Sequence, residues 1–207
     1  MDLHMKTRLA LCTLVLISSL SAYAEDKRSG FYIGLDASYE TMSVTTPTAT
    51  EDFGAGYSAI LHAGYEVPVG SRFAVLLGGT YDIDYYLQGG PGSDGTVFTK
   101  GTEKINQKIK WGLYAAPGMY LSANSLLYTK LIYTSLKTDP AGIRTEEPNF
   151  SSIGYGIGYR HTFMQDNLIT VEWANLPTNK TSFSSFKSGV DIAPNLTLFT
   201  VGWAKKF

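Results

Sequence analysis

An all-β fold is what this sequence predicts: eight antiparallel strands closed into an up-and-down transmembrane β-barrel, preceded by a cleaved signal peptide. Three observations carry that expectation. From residue 31 onward, apolar and polar residues alternate in segment after segment, the period of two that gives a strand one apolar and one polar face. The connections alternate between a few residues and roughly ten to fifteen, as in a barrel with short turns on one side of a membrane and long loops on the other. The chain also begins with an export signal.

Composition agrees. The 207 residues suffice for one domain. Charged residues make up only 17% and aromatic residues 13%, with 14 Tyr and 21 Gly, less charge than a water-soluble globule usually carries. Mean hydropathy is close to zero because the two faces of each strand cancel. A net charge of −1 gives nucleic acid no basis for binding.

Residues 1–24 read as the signal peptide and 25–207 as the barrel domain. Lys6 and Arg8 form the basic start, Leu9 to Leu20 a short apolar run, and Ala22-Tyr23-Ala24 the small-x-small cleavage pattern. Met5 is an alternative start. The lone Cys12 lies in the apolar run behind Leu11, where a lipoprotein signal needs a small residue, so the mature chain is expected to lack thiol chemistry. Beyond residue 24 no apolar stretch has the length of a membrane helix.

In the first strand Phe31, Ile33, Leu35, Ala37 and Tyr39 share a face opposite Gly34, Asp36 and Ser38. The second, about Tyr57 to Val67, sets Ala59, Leu61, Ala63, Tyr65 and Val67 against His62, Gly64 and Glu66, and Pro68 to Ser71 make a turn. The third, Phe73 to Leu87, sets Val75, Leu77, Tyr81, Ile83 and Tyr85 against Gly78, Thr80, Asp82 and Asp84. The fourth, Lys104 to Leu121, sets Trp111, Leu113, Ala115 and Met119 against Gly112, Tyr114, Ala116 and Gly118. Pro117 lacks a ladder donor, so a bulge or break is expected there. The fifth, Ser125 to Lys137, alternates least and its phase stays open, with Lys130 expected inward. In the sixth, Ser151 to Met164, Tyr155, Ile157, Tyr159 and Phe163 alternate with Gly154, Gly156, Gly158 and Arg160. The seventh, Leu168 to about Thr181, opposes Ile169, Val171 and Trp173 to Thr170 and Glu172. The eighth, Ile192 to Phe207, opposes Phe199, Val201, Trp203 and Phe207 to Thr200, Gly202 and Ala204.

The alternation alone leaves open which face is outside. Tyr and Trp near segment ends favour membrane interfaces, and small residues on the other face suit a narrow interior. Asp36, His62, Glu66, Asp82, Arg160 and Glu172, with Lys130, are therefore expected to form a polar network filling the barrel.

The terminal Phe207, in phase with Trp203, Val201 and Phe199, resembles the C-terminal signature by which outer-membrane barrels are recognised for insertion; Lys205 departs from it. The Gly-Tyr alternation in Ala63-Gly64-Tyr65 and Gly156-Ile157-Gly158-Tyr159 is similar to opacity-type and outer-membrane-protein-A-type eight-stranded barrels, over residues 31–207. The resemblance implies a bacterial outer-membrane location. It also implies contact with outer-membrane lipid and lipopolysaccharide, handling by the barrel assembly machinery, and surface loops at about 45–54, 88–103, 139–150 and 182–191 that touch a host surface or another extracellular ligand.

The expected function is non-enzymatic, structural or adhesin-like, without cofactor or metal. One alternative is a small porin or ion channel, against which the narrow lumen counts. Another is a lipid A-modifying enzyme, since a deacylase and a palmitoyltransferase are built on such barrels. A deacylase would need a His and a Ser on one outward face with a carboxylate behind the His. His161 is in the outward phase, but Thr162 points away and no His-x-Ser-Asn run follows. The palmitoyltransferase type would want a His at the external rim, and none of the four loops has one. Asp82 and Asp84 lack clustered partners for a metal, and Gly154, Gly156 and Gly158 precede no helix and so form no phosphate loop.

Overall fold

The computed structural model describes residues 28–45, 48–84, 96–100, 103–140, 149–164, 166–179, 181–182 and 191–207. The expected signal peptide with Cys12, Tyr85, and most of the second, third and fourth loops lie outside the described residues. The strands are β1 (Gly30–Thr45), β2 (Thr50–Val69), β3 (Phe73–Asp82), β4 (Thr96–Lys100), β5 (Glu103–Ser122), β6 (Ser125–Pro140), β7 (Asn149–Phe163), β8 (Asn167–Pro177), β9 (Thr181–Ser182) and β10 (Asp191–Lys206).

Eight of them form an antiparallel wall in the order β1-β2-β3-β5-β6-β7-β8-β10, and β10 pairs back onto β1 to close it. The protein is thus a closed eight-stranded barrel. Following paired residues once around from Gly34, through His62, Thr80, Gly112, Thr134, Ser152, Thr178 and Pro194, returns to Val44. That is a stagger of ten residues along β1 (44 − 34), which tilts the strands and sets the width of the interior.

The strands run further than alternation suggests. β1 and β2 continue to Thr45 and Thr50, so the first loop shrinks from 45–54 to 46–49. The second loop contains β4, whose β-branched and aromatic Val97, Phe98 and Thr99 pair with β5. β3 stops at Asp82 instead of Leu87, because Asp84 turns back: its Oδ1 accepts from Ala59 N at 2.7 Å, while its own N–H donates to Asp82 Oδ1 at 3.0 Å. β6 and β7 narrow the third loop to 141–148, and β8 ends at Pro177, leaving Thr181 to pair with β10 as β9. No bulge forms at Pro117. The β5–β6 register is the same on both sides of it and shifts instead at Gln107/Ile109 and Tyr120/Ser122. Pro117 faces outward and still pairs with Val75. The phase of β6 is settled: Leu126, Tyr128, Lys130, Ile132, Thr134 and Leu136 point inward.

The face carrying Leu, Ile, Val, Tyr, Trp and Phe is the outside. Ring pairs mark its upper edge, toward the long connections: Tyr39–Tyr57 at 5.4 Å, Trp111–Tyr133 at 5.8 Å and Tyr155–Trp173 at 6.1 Å. Phe31 and Phe207, 6.4 Å apart, stand at the lower edge beside the short turns. These are the two aromatic girdles of a bilayer-spanning wall.

Above the upper girdle the polarity reverses. Met42, Val44, Phe53, Leu136, Phe150, Leu176 and Leu196 point inward and form one buried cluster. The residues beside them on the outer face are Thr41, Ser43, Thr45, Asp52, Ser135, Ser151, Asn175, Asn195 and Thr197. The upper barrel is thus organised like a water-soluble one, apolar inside and polar outside, because its exterior meets water and not lipid.

Inside the membrane band, inward glycines make room for inward tyrosines. A Cβ on Gly64 would fall 2.6 Å from the Tyr32 hydroxyl, on Gly78 2.6 Å from that of Tyr114, and on Gly158 against the Tyr128 ring. Gly158→Val is therefore expected to lower unfolding stability in detergent by about 1–3 kcal/mol, the range for overpacking. Tyr128→Leu in the same chain should restore part of it. The wild-type chain should migrate on a gel as a compact form before boiling and a slower one after it.

Candidate functional site

The strands converge their side chains on the lumen, which is filled in three levels. The lowest is centred on Glu66, buried on β2. Its carboxylate accepts from the Tyr120 hydroxyl at 2.5 Å and faces Lys206 Nζ at 3.2 Å and Arg160 Nη1 at 3.7 Å. Lys206 also donates to the Arg28 carbonyl. The Arg160 guanidinium lies 4.2 Å over the Tyr32 ring, a cation–π contact that replaces part of its lost hydration.

At the middle level Tyr32 and Tyr114 join hydroxyls at 2.8 Å. His62 Nδ1 lies 2.8 Å from Asp36 Oδ2, close in distance but not aligned as a hydrogen bond. Lys130 Nζ donates to Glu172 at 2.7 Å and sits 4.3 Å over the Tyr114 ring, and the Tyr128 hydroxyl donates to the same carboxylate at 3.1 Å. Two cavities of about 20 and 30 Å³ adjoin Asp36, Thr80, Lys130 and Glu172, each with room for a water or two. Asp36 Oδ1, His62 Nε2 and Arg160 Nε, from the lining of the smaller one, have no hydrogen-bond partner among the described residues.

At the upper level Lys110 pairs with Glu40, which also accepts from Ser58 Oγ at 2.5 Å. Lys110 lies 3.6 Å from Asp82, and Gln107 donates to Asp82 at 2.8 Å. These groups occupy the β1–β2–β3–β5 side, and the apolar cluster fills much of the rest.

All seven residues expected in the lumen face it. Asp36 meets His62, Glu66 meets Arg160, and Lys130 meets Glu172. Asp82 contacts none of the other six and belongs with Lys110 and Gln107. Sequence reasoning missed Glu40, Lys110, Gln107 and Lys206. The first, second and fourth continue the small-residue phase two positions past Ser38, Gly112 and Ala204; Lys110 and Lys206 lie inside the expected fourth and eighth strands, where following that phase would have found them, while Glu40 needed a longer first strand. Gln107 lies beyond the β5 register shift and carries no such signal.

On the outer face, Phe199, Val201, Trp203 and Phe207 are exposed along β10, the closing strand. Phe207 N donates to Phe31 O at 2.8 Å. Lys205 faces outward at the lower rim, 3.5 Å from Asp166. His161 does meet a serine, from the next strand: Ser125 Oγ lies 3.1 Å from its Nδ1 and 3.0 Å from the Tyr159 hydroxyl. Among the described residues no carboxylate stands behind that imidazole within ion-pair distance, and no group of His, Cys, Asp or Glu could hold a metal.

A closed wall, aromatic edges and a lumen packed with paired charges define a bacterial outer-membrane β-barrel. The family model described as "Outer membrane protein beta-barrel domain" matches residues 10–202, and the chain belongs to that family. Among solved structures it is similar to Neisserial surface protein A, with 14% identity over 86% of this chain and 98% of that one and a TM-score of 0.50. It is also similar to Ail of Yersinia pestis, solved with the heparin analogue sucrose octasulfate, with 13% identity over 84% and 99% and a TM-score of 0.47. OprG of Pseudomonas aeruginosa has 10% identity over 87% and 97% and a TM-score of 0.45. No curated protein matches the chain.

Glu66→Ala leaves Arg160 and Lys206 without their carboxylate, and is expected to cost about 3–5 kcal/mol of unfolding free energy. Lys130→Met should be comparably harmful alone. Lys130→Met with Glu172→Met should recover most of the loss, since removing both partners removes the stranded charge. Urea titrations of refolded protein read these differences.

Proposed function

We propose that the protein is a non-enzymatic outer-membrane barrel that acts through its exterior, as a structural or adhesin-like surface protein. The observation that carries this reading is the filled lumen. Among the described residues, paired polar side chains below and an apolar cluster above occupy the lumen, and the two cavities beside Asp36, Thr80, Lys130 and Glu172 have about 20 and 30 Å³, room for a water or two. The interior network of Asp36, His62, Glu66, Asp82, Lys130, Arg160 and Glu172 is then structural, holding the barrel rigid. The apolar-cored collar above the girdle supports the hairpin tips that meet a host-surface or other extracellular ligand.

The remaining parts follow from the same reading. Residues 1–24 direct export and are removed, leaving 25–207. Phe199, Val201, Trp203 and Phe207 present the signal that the assembly machinery reads. The girdles hold the barrel among outer-membrane lipid and lipopolysaccharide.

Two measurements test it. Planar-bilayer recordings of refolded protein should give no steady openings; reproducible single-channel steps would overturn the reading in favour of a small channel. Replacing residues 46–49 and 141–148 with Gly-Ser spacers should preserve heat-modifiable mobility yet reduce attachment of protein-bearing cells to a host-cell layer to the level of cells lacking it. Unchanged attachment would remove the adhesin-like role.

A further inference from the structure

On β7 the outward face reads, from the long-loop end downward, Ile153, Tyr155, Ile157, Tyr159 and then His161. An imidazole that close to lipid is out of keeping with its neighbours, and its surroundings are built. Its ring stacks on Tyr159 at 6.5 Å and 11°. Ser125, its partner in the β6–β7 register and itself buried, bridges the Tyr159 hydroxyl and His161 Nδ1.

We propose that His161, positioned by Ser125 and Tyr159, binds the phosphate of a glycerophospholipid in the periplasm-facing leaflet. His161 lies at the end with the short turns 70–72, 123–124 and 164–166, which also carries Arg28 and Phe207. Short turns mark the periplasmic side, and Phe31, Phe73 and Phe207 mark the depth at which that leaflet's headgroups begin.

Ser125 Oγ links the Tyr159 hydroxyl and His161 Nδ1 in one hydrogen-bonded chain. With the Tyr159 hydroxyl donating to Ser125 Oγ and the Ser125 hydroxyl donating to Nδ1, the arrangement we propose, the imidazole hydrogen sits on Nε2, the nitrogen on the far side of the ring from Ser125. Phosphate oxygens only accept, so an Nε2–H donor is what such a headgroup needs. The buried serine is poorly placed as a nucleophile, since its oxygen is committed to both neighbours and no carboxylate backs the imidazole. Ser125 is therefore a positioning residue. Arg160, the adjacent cation, points inward toward Glu66 and does not compete, while Lys205 at the same rim is held by Asp166.

The test uses full-length protein labelled with nitrogen-15 at histidine in a maltoside micelle, titrated with phosphatidylglycerol. The Nε2 resonance of His161, assigned by its loss in His161→Gln, should move with lipid. Lipid affinity, read in each variant by isothermal titration calorimetry of the same micelles, should fall roughly tenfold in His161→Ala, the worth of one hydrogen bond to a charged group. Ser125→Ala should weaken it less and alter the tautomer signature, with heat-modifiable mobility retained in both. Inorganic phosphate and uncharged diacylglycerol should leave the resonance in place. Equal lipid affinity in His161→Ala, or the same shift with either control, overturns the proposal. If the alanine variants do not fold, the wild-type titration against those two controls decides alone.

Discussion

Everything in this molecule depends on the pairing of β1 with β10. In hydrocarbon no water is present to satisfy an unpaired N–H or C=O, so a sheet with edges has no place there. The ladder from Tyr32 opposite Lys206 to Thr45 opposite Ala193 removes both edges at once. It also fixes the interior, because eight strands with a ten-residue stagger enclose a set width. That width is too small for a large side chain at every inward position, and glycines at 64, 78 and 158 stand where Tyr32, Tyr114 and Tyr128 need space. Closure brings Lys206 under Glu66, 140 residues away in sequence.

The charges inside follow from the same constraint. With lipid outside, polar side chains turn inward, where desolvation is costly unless they are paired. The barrel meets this with few partners and several contacts each. Glu66 serves two cations and a tyrosine, and Lys110 serves Glu40 and Asp82. Aromatic faces over Arg160 and Lys130 add attraction beside their carboxylate partners. The network also opposes misregister. A slip of one residue would send Glu66 or Arg160 into lipid and Leu or Tyr into the lumen.

The membrane-spanning part was legible in the sequence because one rule governs it: apolar outside, polar or small inside. The rule ends at the upper girdle, and legibility ends with it. Thr41-Met42-Ser43-Val44 keeps the alternation of β1 unbroken but exchanges which face is apolar. A reading that follows apolar residues on one face ends the strand near Tyr39 and assigns the remainder to a loop. Glu40, on the boundary, was lost for that reason. Lys110 fell in the expected fourth strand, yet Trp111 and Leu113 defined its face while the register shift at Gln107/Ile109 obscured what lies beyond. Pairings across strands were not legible at all. Ser125 and His161 are 36 residues apart, and only the β6–β7 register puts them side by side.

The reversal at the girdle also decides where the sequence is free to serve a partner. In the membrane band each strand is constrained twice, by lipid on one face and by the charge network or the glycine–tyrosine fit on the other. Above it only the inward positions are constrained, by the cluster around Met42, Leu136, Phe150 and Leu196. The outward Thr, Ser and Asn there face water, where substitutions typically change stability by no more than about 0.5 kcal/mol. A barrel built this way can alter its outer collar and hairpin tips while closure, stagger and network stay fixed. Recognition is thereby confined to the part of the chain whose side chains the fold does not use.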